Sequence, residues 1–223
     1  MDGQIVRKNK RRMKDWRIFV SNTVVKWFKQ IRICGWLRFR ILRIAYKIFW
    51  VNSPRNGEWD FVLQWLKLLR KFQGQIIVLD VGSTESLLIY ELLHRGYDVR
   101  GIDQRPYQEW NWRVQTVEIL TSILPTYEEN FDYIIAISTI EHIGLGAYGD
   151  DKIENGDRLA IEKLYNWLKP NGYFIITIPN KHLGTDTGRG YSYQDFEELI
   201  KGLFKIVHFE ERSNQICSVL VKQ

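Results

Sequence analysis

The chain has 223 residues, 45% of them hydrophobic, and a formal net charge of +6. That length suits one α/β domain with or without an appendage, and the apolar content excludes global disorder. Two cysteines, Cys34 and Cys217, lie outside any CxxC or Cys/His grouping, which argues against a disulfide framework or a zinc site and fits a reducing compartment.

The charge divides along the chain. Residues 1–50 hold 14 Lys/Arg against 2 Asp/Glu, a net of +12, and residues 51–223 hold 18 against 24, a net of −6. A mildly acidic domain therefore follows a strongly basic arm. The arm's longest uncharged run, Ile18 to Val25, is too short to span a bilayer. No small-residue cleavage site follows it, so no signal peptide is read and a cytoplasmic protein is expected.

Residues 14–50 read as two amphipathic helices. Trp16, Phe19, Thr23, Trp27 and Ile31 recur at helical spacing, with a break at Gly35. In the second segment Leu37, Ile41, Ile44, Ala45 and Ile48 share one face, and Arg40, Arg43 and Lys47 lie on another. NSPRNG (52–57) is a turn-rich linker, so the expected division is a helical extension with linker, 1–57, and a main domain, 58–223. Residues 58–72 then read as a helix.

From residue 75 strands and helices alternate. The predicted strands are QIIVLDV (75–81), YDVRGID (97–103), RVQTV (113–117), FDYIIAIS (131–138) and GYFIITIP (172–179). Helices are expected over 85–96, closed by Gly96, over 157–168, stopped by KPNG, and from the capping box Ser192/Asp195 to Ile200. FKIVHF (204–209) and ICSVLV (216–221) flank a turn at Asn214 and read as an antiparallel pair. Such alternation means an open, mostly parallel sheet between helices.

In such sheets ligands bind beyond the carboxyl ends of the strands. The polar residues there are Asp80, Gly82, Ser83, Thr84 and Glu85 after the first strand and Asp103 after the second. Glu118 follows the third, and Ser138, Thr139, Glu141 and His142 follow the fourth. Asp103 can accept from both hydroxyls of a ribose, or it can cap a turn. Asp80 sits in an apolar run, where a carboxylate needs backbone amides or a cationic ligand group. Gly82 is the only glycine between Asp80 and Gly96, whereas a dinucleotide pyrophosphate demands several. A helix opening near Glu85 would also put a carboxylate where phosphate would sit, and that carboxylate repels it. The loop is wrong for NAD and tolerable for S-adenosylmethionine.

These residues resemble the class I S-adenosylmethionine-dependent methyltransferases over roughly residues 75–223. VLDVGSTES (78–86) is similar to motif I of that superfamily, GID (101–103) to its ribose-binding acid, FDYIIAISTIEHI (131–143) to its fourth motif, and LKPNGYFIITIP (168–179) to its later strand. STIEHIGLGAYGD (138–150), followed by NGD, resembles a methyltransferase-like subgroup of poorly defined substrate. Its members also carry a motif I without the full glycine set. The resemblance implies a Rossmann-like seven-stranded sheet, mostly parallel, with the last strand antiparallel. It implies a cofactor set of Asp80 toward the methionine amino group, Gly82 under the methionyl part, Asp103 on the ribose, Glu118 near the adenine amine and Ile119 on the adenine ring. Ser83, Thr84, Glu85, Ser138 and Thr139 complete that set.

For transfer to a hydroxyl a general base is required, and His142, with Glu141 beside it, is the candidate. A structural histidine at a helix start is the competing reading. Acids are dense from Glu141 through Asp150 and Asp151 to Asp157, but their spacing matches no metal loop and no metal site is expected. GLGAYGD (144–150) reads as a loop over an acceptor pocket, with Tyr148, Arg189 and Tyr191 as candidate lining. The basic arm has three readings: an anionic membrane surface, a cap on the sheet domain, and, least favoured, nucleic acid. The expected function is an S-adenosylmethionine-dependent methyltransferase acting at oxygen on a small-molecule, glycan or lipid-linked sugar acceptor. The alternative is a non-catalytic domain of the same fold that binds cofactor or a partner.

Overall fold

The computed structural model describes residues 56–70, 74–83, 88–105 and 113–223. The chain divides into two units, Met1–Asn56 and Gly57–Gln223. The helices expected over 14–50 lie outside the described residues, as do Thr84 and Glu85.

The elements run α1 (Asn56–Leu69), β1 (Ile77–Val81), α2 (Leu88–His94), β2 (Asp98–Asp103), β3 (Val114–Thr116), β4 (Phe131–Ile137), α3 (Gly156–Trp167), β5 (Leu168–Pro179), α4 (Tyr193–Ile200), β6 (Phe204–Arg212) and β7 (Gln215–Lys222). They form one seven-stranded sheet in the order β3-β2-β1-β4-β5-β7-β6. β1 pairs in parallel with β2 and β4, and β4 with β5, whereas β7 runs antiparallel to both its neighbours. The strand order reverses between β1 and β4, so the crevice that such a reversal opens lies at their carboxyl ends.

Continuous apolar runs make the central strands, because both faces are covered. One face presents Leu79, Val81, Ile134, Ala136, Ile176 and Ile178 to a core shared with Ile161 and Trp167 of α3 and Phe196 of α4. On the opposite face α1 is tied down by hydrogen bonds. The Tyr133 hydroxyl donates to the Leu69 carbonyl at 2.6 Å, and the Thr177 hydroxyl donates to Glu58 at the same distance.

The observed elements differ from the expected ones mainly at their ends. KPNG does not form a separate turn after α3. The helix stops at Trp167 and β5 begins at Leu168, paired with Phe131 across a register shift. Asn171, at φ 60°, absorbs the irregularity inside the strand. β4 ends at Ile137, one residue early, because Ser138 turns to φ 44°. The final hairpin is longer than expected. Arg212 pairs with Gln215 across Ser213 and Asn214, both at positive φ, which is the geometry of a tight two-residue turn.

Candidate functional site

At the end of β1 the chain turns on Gly82, at φ 78°, a region glycine enters without steric cost. Its N–H donates to the Ile102 carbonyl at 2.8 Å, and the Ser83 N–H donates to the same oxygen at 3.2 Å. A Cβ on Gly82 would stand 2.2 Å from Thr139 Oγ1. That hydroxyl is held by the Ile137 and Val81 carbonyls at 2.9 and 3.2 Å. The glycine is thus required by Thr139, arriving from the end of β4. Ser83 turns inward: it is buried, and its Oγ would lie 2.5 Å from a Cβ on Gly101. Gly101 makes room for it, a role that the sequence reading missed.

Besides Glu141, three buried carboxylates gather at this end of the sheet. Asp80, one residue before the end of β1, is 2% exposed, and Asp103, closing β2, is 7% exposed. Asp103 accepts from the Arg105 N–H at 2.9 Å and from its guanidinium at 3.2 and 3.3 Å. The third acid was not foreseen. Glu58, in the first turn of α1, is 5% exposed and accepts from the Ser138 hydroxyl at 2.7 Å and the Thr177 hydroxyl at 2.6 Å. From sequence Glu58 is simply the first charge of an amphipathic helix, and nothing in it signals a partner 80 residues away.

β4 runs through Ser138 and Thr139 into a single 3-10 turn, Ile140–His142. His142 Nδ1 makes a short hydrogen bond with the Thr187 carbonyl. A carbonyl only accepts, so Nδ1 carries a proton, which in the neutral ring leaves the lone pair on Nε2. Nε2 lies 3.7 Å from Glu141 Oε1. The ring also meets the Tyr148 ring edge-on at 5.2 Å, and the Arg105 guanidinium covers Tyr148 at 5.3 Å. A chain of contacts therefore runs from Asp103 through Arg105 and Tyr148 to His142.

Behind His142 a partly buried polar group joins the loops after β4 and β5. The Arg189 N–H donates to the Glu141 carbonyl at 3.0 Å, and its guanidinium donates to the Ile143 carbonyl at 2.8 Å. The same guanidinium lies 3.6 Å from Asp157, which accepts from the Tyr191 hydroxyl at 2.8 Å. Burial, and then the Asp157 charge, push the Tyr191 phenol far above its ordinary pKa, so it acts as a neutral donor. Arg189 and Tyr191 thus brace the two loops. A cleft of about 570 Å³ lies beside them, lined by Lys181, Thr185, Asp186, Arg189, Tyr191 and Asp195 among others.

Of the residues expected from sequence, Asp80, Gly82, Ser83, Asp103, Ser138, Thr139, Glu141 and His142 come together at the carboxyl edge of β1, β2 and β4. Glu118 turns back on its own loop, accepting from the Leu120 and Thr121 N–H groups at 3.1 and 2.6 Å and from the Thr121 hydroxyl. Ile119 is buried in the core on the α3 face. Among the described residues no three His, Cys, Asp or Glu side chains converge as a metal-binding group, and none of the described helices is long and apolar enough to cross a membrane.

A sheet in this strand order with β7 reversed is the fold of the class I S-adenosylmethionine-dependent methyltransferases. Residues 91–222 match the family described as "Caenorhabditis protein of unknown function, DUF268", and the chain belongs to that family. Among solved structures it is similar to an S-adenosylmethionine-dependent methyltransferase from Clostridium acetobutylicum, at 12% identity and a TM-score of 0.58, over 82% of this chain and 98% of that one. It is also similar to the 1,6-didemethyltoxoflavin-N1-methyltransferase of Burkholderia thailandensis, at 16% identity and a TM-score of 0.56, over 73% and 76%. A third is the N-methyltransferase NodS of Bradyrhizobium japonicum, at 13% identity and a TM-score of 0.52, over 73% and 84%. At these identities the likeness is one of fold. No curated protein sequence matches the chain.

Proposed function

We propose that the protein is an S-adenosylmethionine-dependent methyltransferase that acts on a hydroxyl of a polar small-molecule or sugar-containing acceptor. The observation that carries this reading is the set of buried carboxylates at the strand ends of a sheet with this topology. Acids there suit a ligand with hydroxyls and positive charge and disfavour one with phosphates. Asp103 would hold the ribose hydroxyls and Asp80 the methionine amino group, with the backbone at Gly82 running beneath. Bound there, the cofactor supplies an electrophilic methyl group for in-line displacement.

The chain's own part is to position the acceptor and remove a proton. His142 is oriented for this, since its Nδ1–H is held by the Thr187 carbonyl. Nε2 can then take the hydroxyl proton, and the Glu141 carboxylate 3.7 Å away stabilises the resulting imidazolium. The polar lining of the neighbouring cleft supports an acceptor rich in hydrogen-bonding groups. The +12 arm with its tryptophans supports a peripheral location on an anionic membrane face in the cytoplasm, where a lipid-linked sugar would be met.

One observation favours a second reading, a non-catalytic domain of the same fold: Arg105 already engages Asp103 through both carboxylate oxygens. Calorimetric titration with S-adenosylmethionine, S-adenosylhomocysteine and NAD separates the two. Binding of the first two, lost in Asp103→Ala, is expected. No heat from any ligand with folded protein would leave the non-catalytic reading.

A further inference from the structure

Burial of a carboxylate is costly unless it is well bonded, and Glu58 receives two hydroxyl hydrogen bonds on the single atom Oε1, at 2.7 and 2.6 Å. Bonds of this length are typical of a charged acceptor. The donors fix where that charge sits. Ser138 is the first residue beyond β4, and Thr177 lies two residues before the end of β5.

The strand register adds a second acid. Asp80 pairs with Ile135, and Ile135 with Ile175. Successive residues alternate between faces, so Asp80 and Thr177 share the face on which α1 lies. β4 separates β1 from β5, which puts the two positions roughly 10 Å apart across the sheet. Asp80 on β1 and Glu58, held from α1 by Thr177 on β5, thus flank the carboxyl end of β4. The Glu58 charge also reaches β7: the Cys217 thiol, opposite Thr177, is pushed up to about 12, first by burial and then by that carboxylate.

We propose that Glu58 is a further cofactor-binding residue, contributed by α1, whose charge favours the cationic cofactor over its uncharged fragments. The proposal rests on the methyltransferase reading above and deepens it. A ligand seated across the ends of β1 and β4 has negative charge on both sides. S-adenosylmethionine brings a sulfonium together with an ammonium and a carboxylate, S-adenosylhomocysteine only the latter two, and 5′-methylthioadenosine none of the three. Glu58 therefore discriminates among them by charge, in that order.

The test is calorimetry with these three ligands on the full chain and on Glu58→Gln. Glutamine keeps the size of the side chain and an accepting oxygen for Ser138 and Thr177, but removes the charge. Affinity for S-adenosylmethionine is expected to fall on the order of tenfold. S-adenosylhomocysteine should lose less, and 5′-methylthioadenosine should be unchanged. Equal weakening of all three, or of none, overturns the assignment, because a purely structural role does not distinguish the ligands by charge. Failure of the wild-type protein to bind any of the three overturns the methyltransferase reading and this proposal with it. Should Glu58→Gln not fold, Glu58→Met with Thr177→Val removes the charge together with one hydroxyl that faces it. The same ordering of losses is then expected.

Discussion

A side chain at position 82 meets two obstacles, a φ of 78° and the Thr139 hydroxyl at 2.2 Å from the new Cβ. The left-handed conformation costs a non-glycine residue about 1–2 kcal/mol, and overpacking costs about 1–3 kcal/mol more. Gly82→Ala is therefore expected to destabilise by about 2–5 kcal/mol in a denaturant titration. Adding Thr139→Ala should recover only the packing part, since the backbone strain stays. Full recovery would show that φ at this position does not matter. Arg105 makes the opposite kind of prediction. A carboxylate has about four lone-pair sites, and Arg105 engages Asp103 with its N–H and with two guanidinium nitrogens. A ribose diol competes for the same oxygens, so Arg105→Gln is expected to tighten S-adenosylmethionine binding several-fold. Weaker binding instead would make Arg105 the residue that positions Asp103. Asp103 itself was legible in the sequence because it ends an apolar strand. Its partner was not, because an arginine two residues into a loop carries no periodic signal.

At the level of elements, the loop from Gly144 to Asp150 is organised by one carboxylate. Asp150 accepts from the Gly144, Gly146 and Tyr148 N–H groups at 3.1, 3.3 and 3.2 Å. Burial alone would raise its pKa. The amides of Tyr148, Asp150 itself and Gly146, with the Gln104 side chain, outweigh that and hold it below the ordinary value. A carboxyl depressed in the folded state stabilises the loop above its unfolded pKa, about 3.9. That contribution is lost as the pH falls through the lower folded value. The amides of Gly144, Gly146 and Tyr148 are thus expected to lose protection from hydrogen exchange below about pH 4, earlier than those of β4. In Asp150→Asn they should be weakly protected at all pH values. Persistence of protection to strong acid would remove Asp150 as the organiser. The helix α4 shows the complementary case, a feature fully readable in advance. Ser192 and Asp195 form the reciprocal capping box that their spacing predicted, and Ser192→Ala should cost about 1 kcal/mol of stability.

For the whole molecule, strand identity was readable because a buried parallel strand is a continuous apolar run with few alternatives. β1, β4 and β5 stand out for that reason. What the sequence withheld was long-range and polar: Glu58 on Ser138, Arg189 across two loops, and the displacement of the β5 start through KPNG to Leu168. Each depends on which loops the sheet brings side by side, and no local pattern records that. The basic arm is the reverse case, legible only as a pattern of charge. If residues 14–50 contact an anionic bilayer, each Lys or Arg near the surface contributes about 1 kcal/mol, lost beyond the screening length of about 10 Å at 0.1 M salt. Replacing Arg40, Arg43 and Lys47 by Glu in the full chain removes three such contributions and adds repulsion. Partitioning onto vesicles containing phosphatidylserine should then fall by roughly two orders of magnitude or more, whereas the wild-type chain should be released by 1 M salt. Unchanged sedimentation of the variant, or equal binding to vesicles of phosphatidylcholine alone, would leave charge without a role and exclude the anionic surface as the partner of the arm.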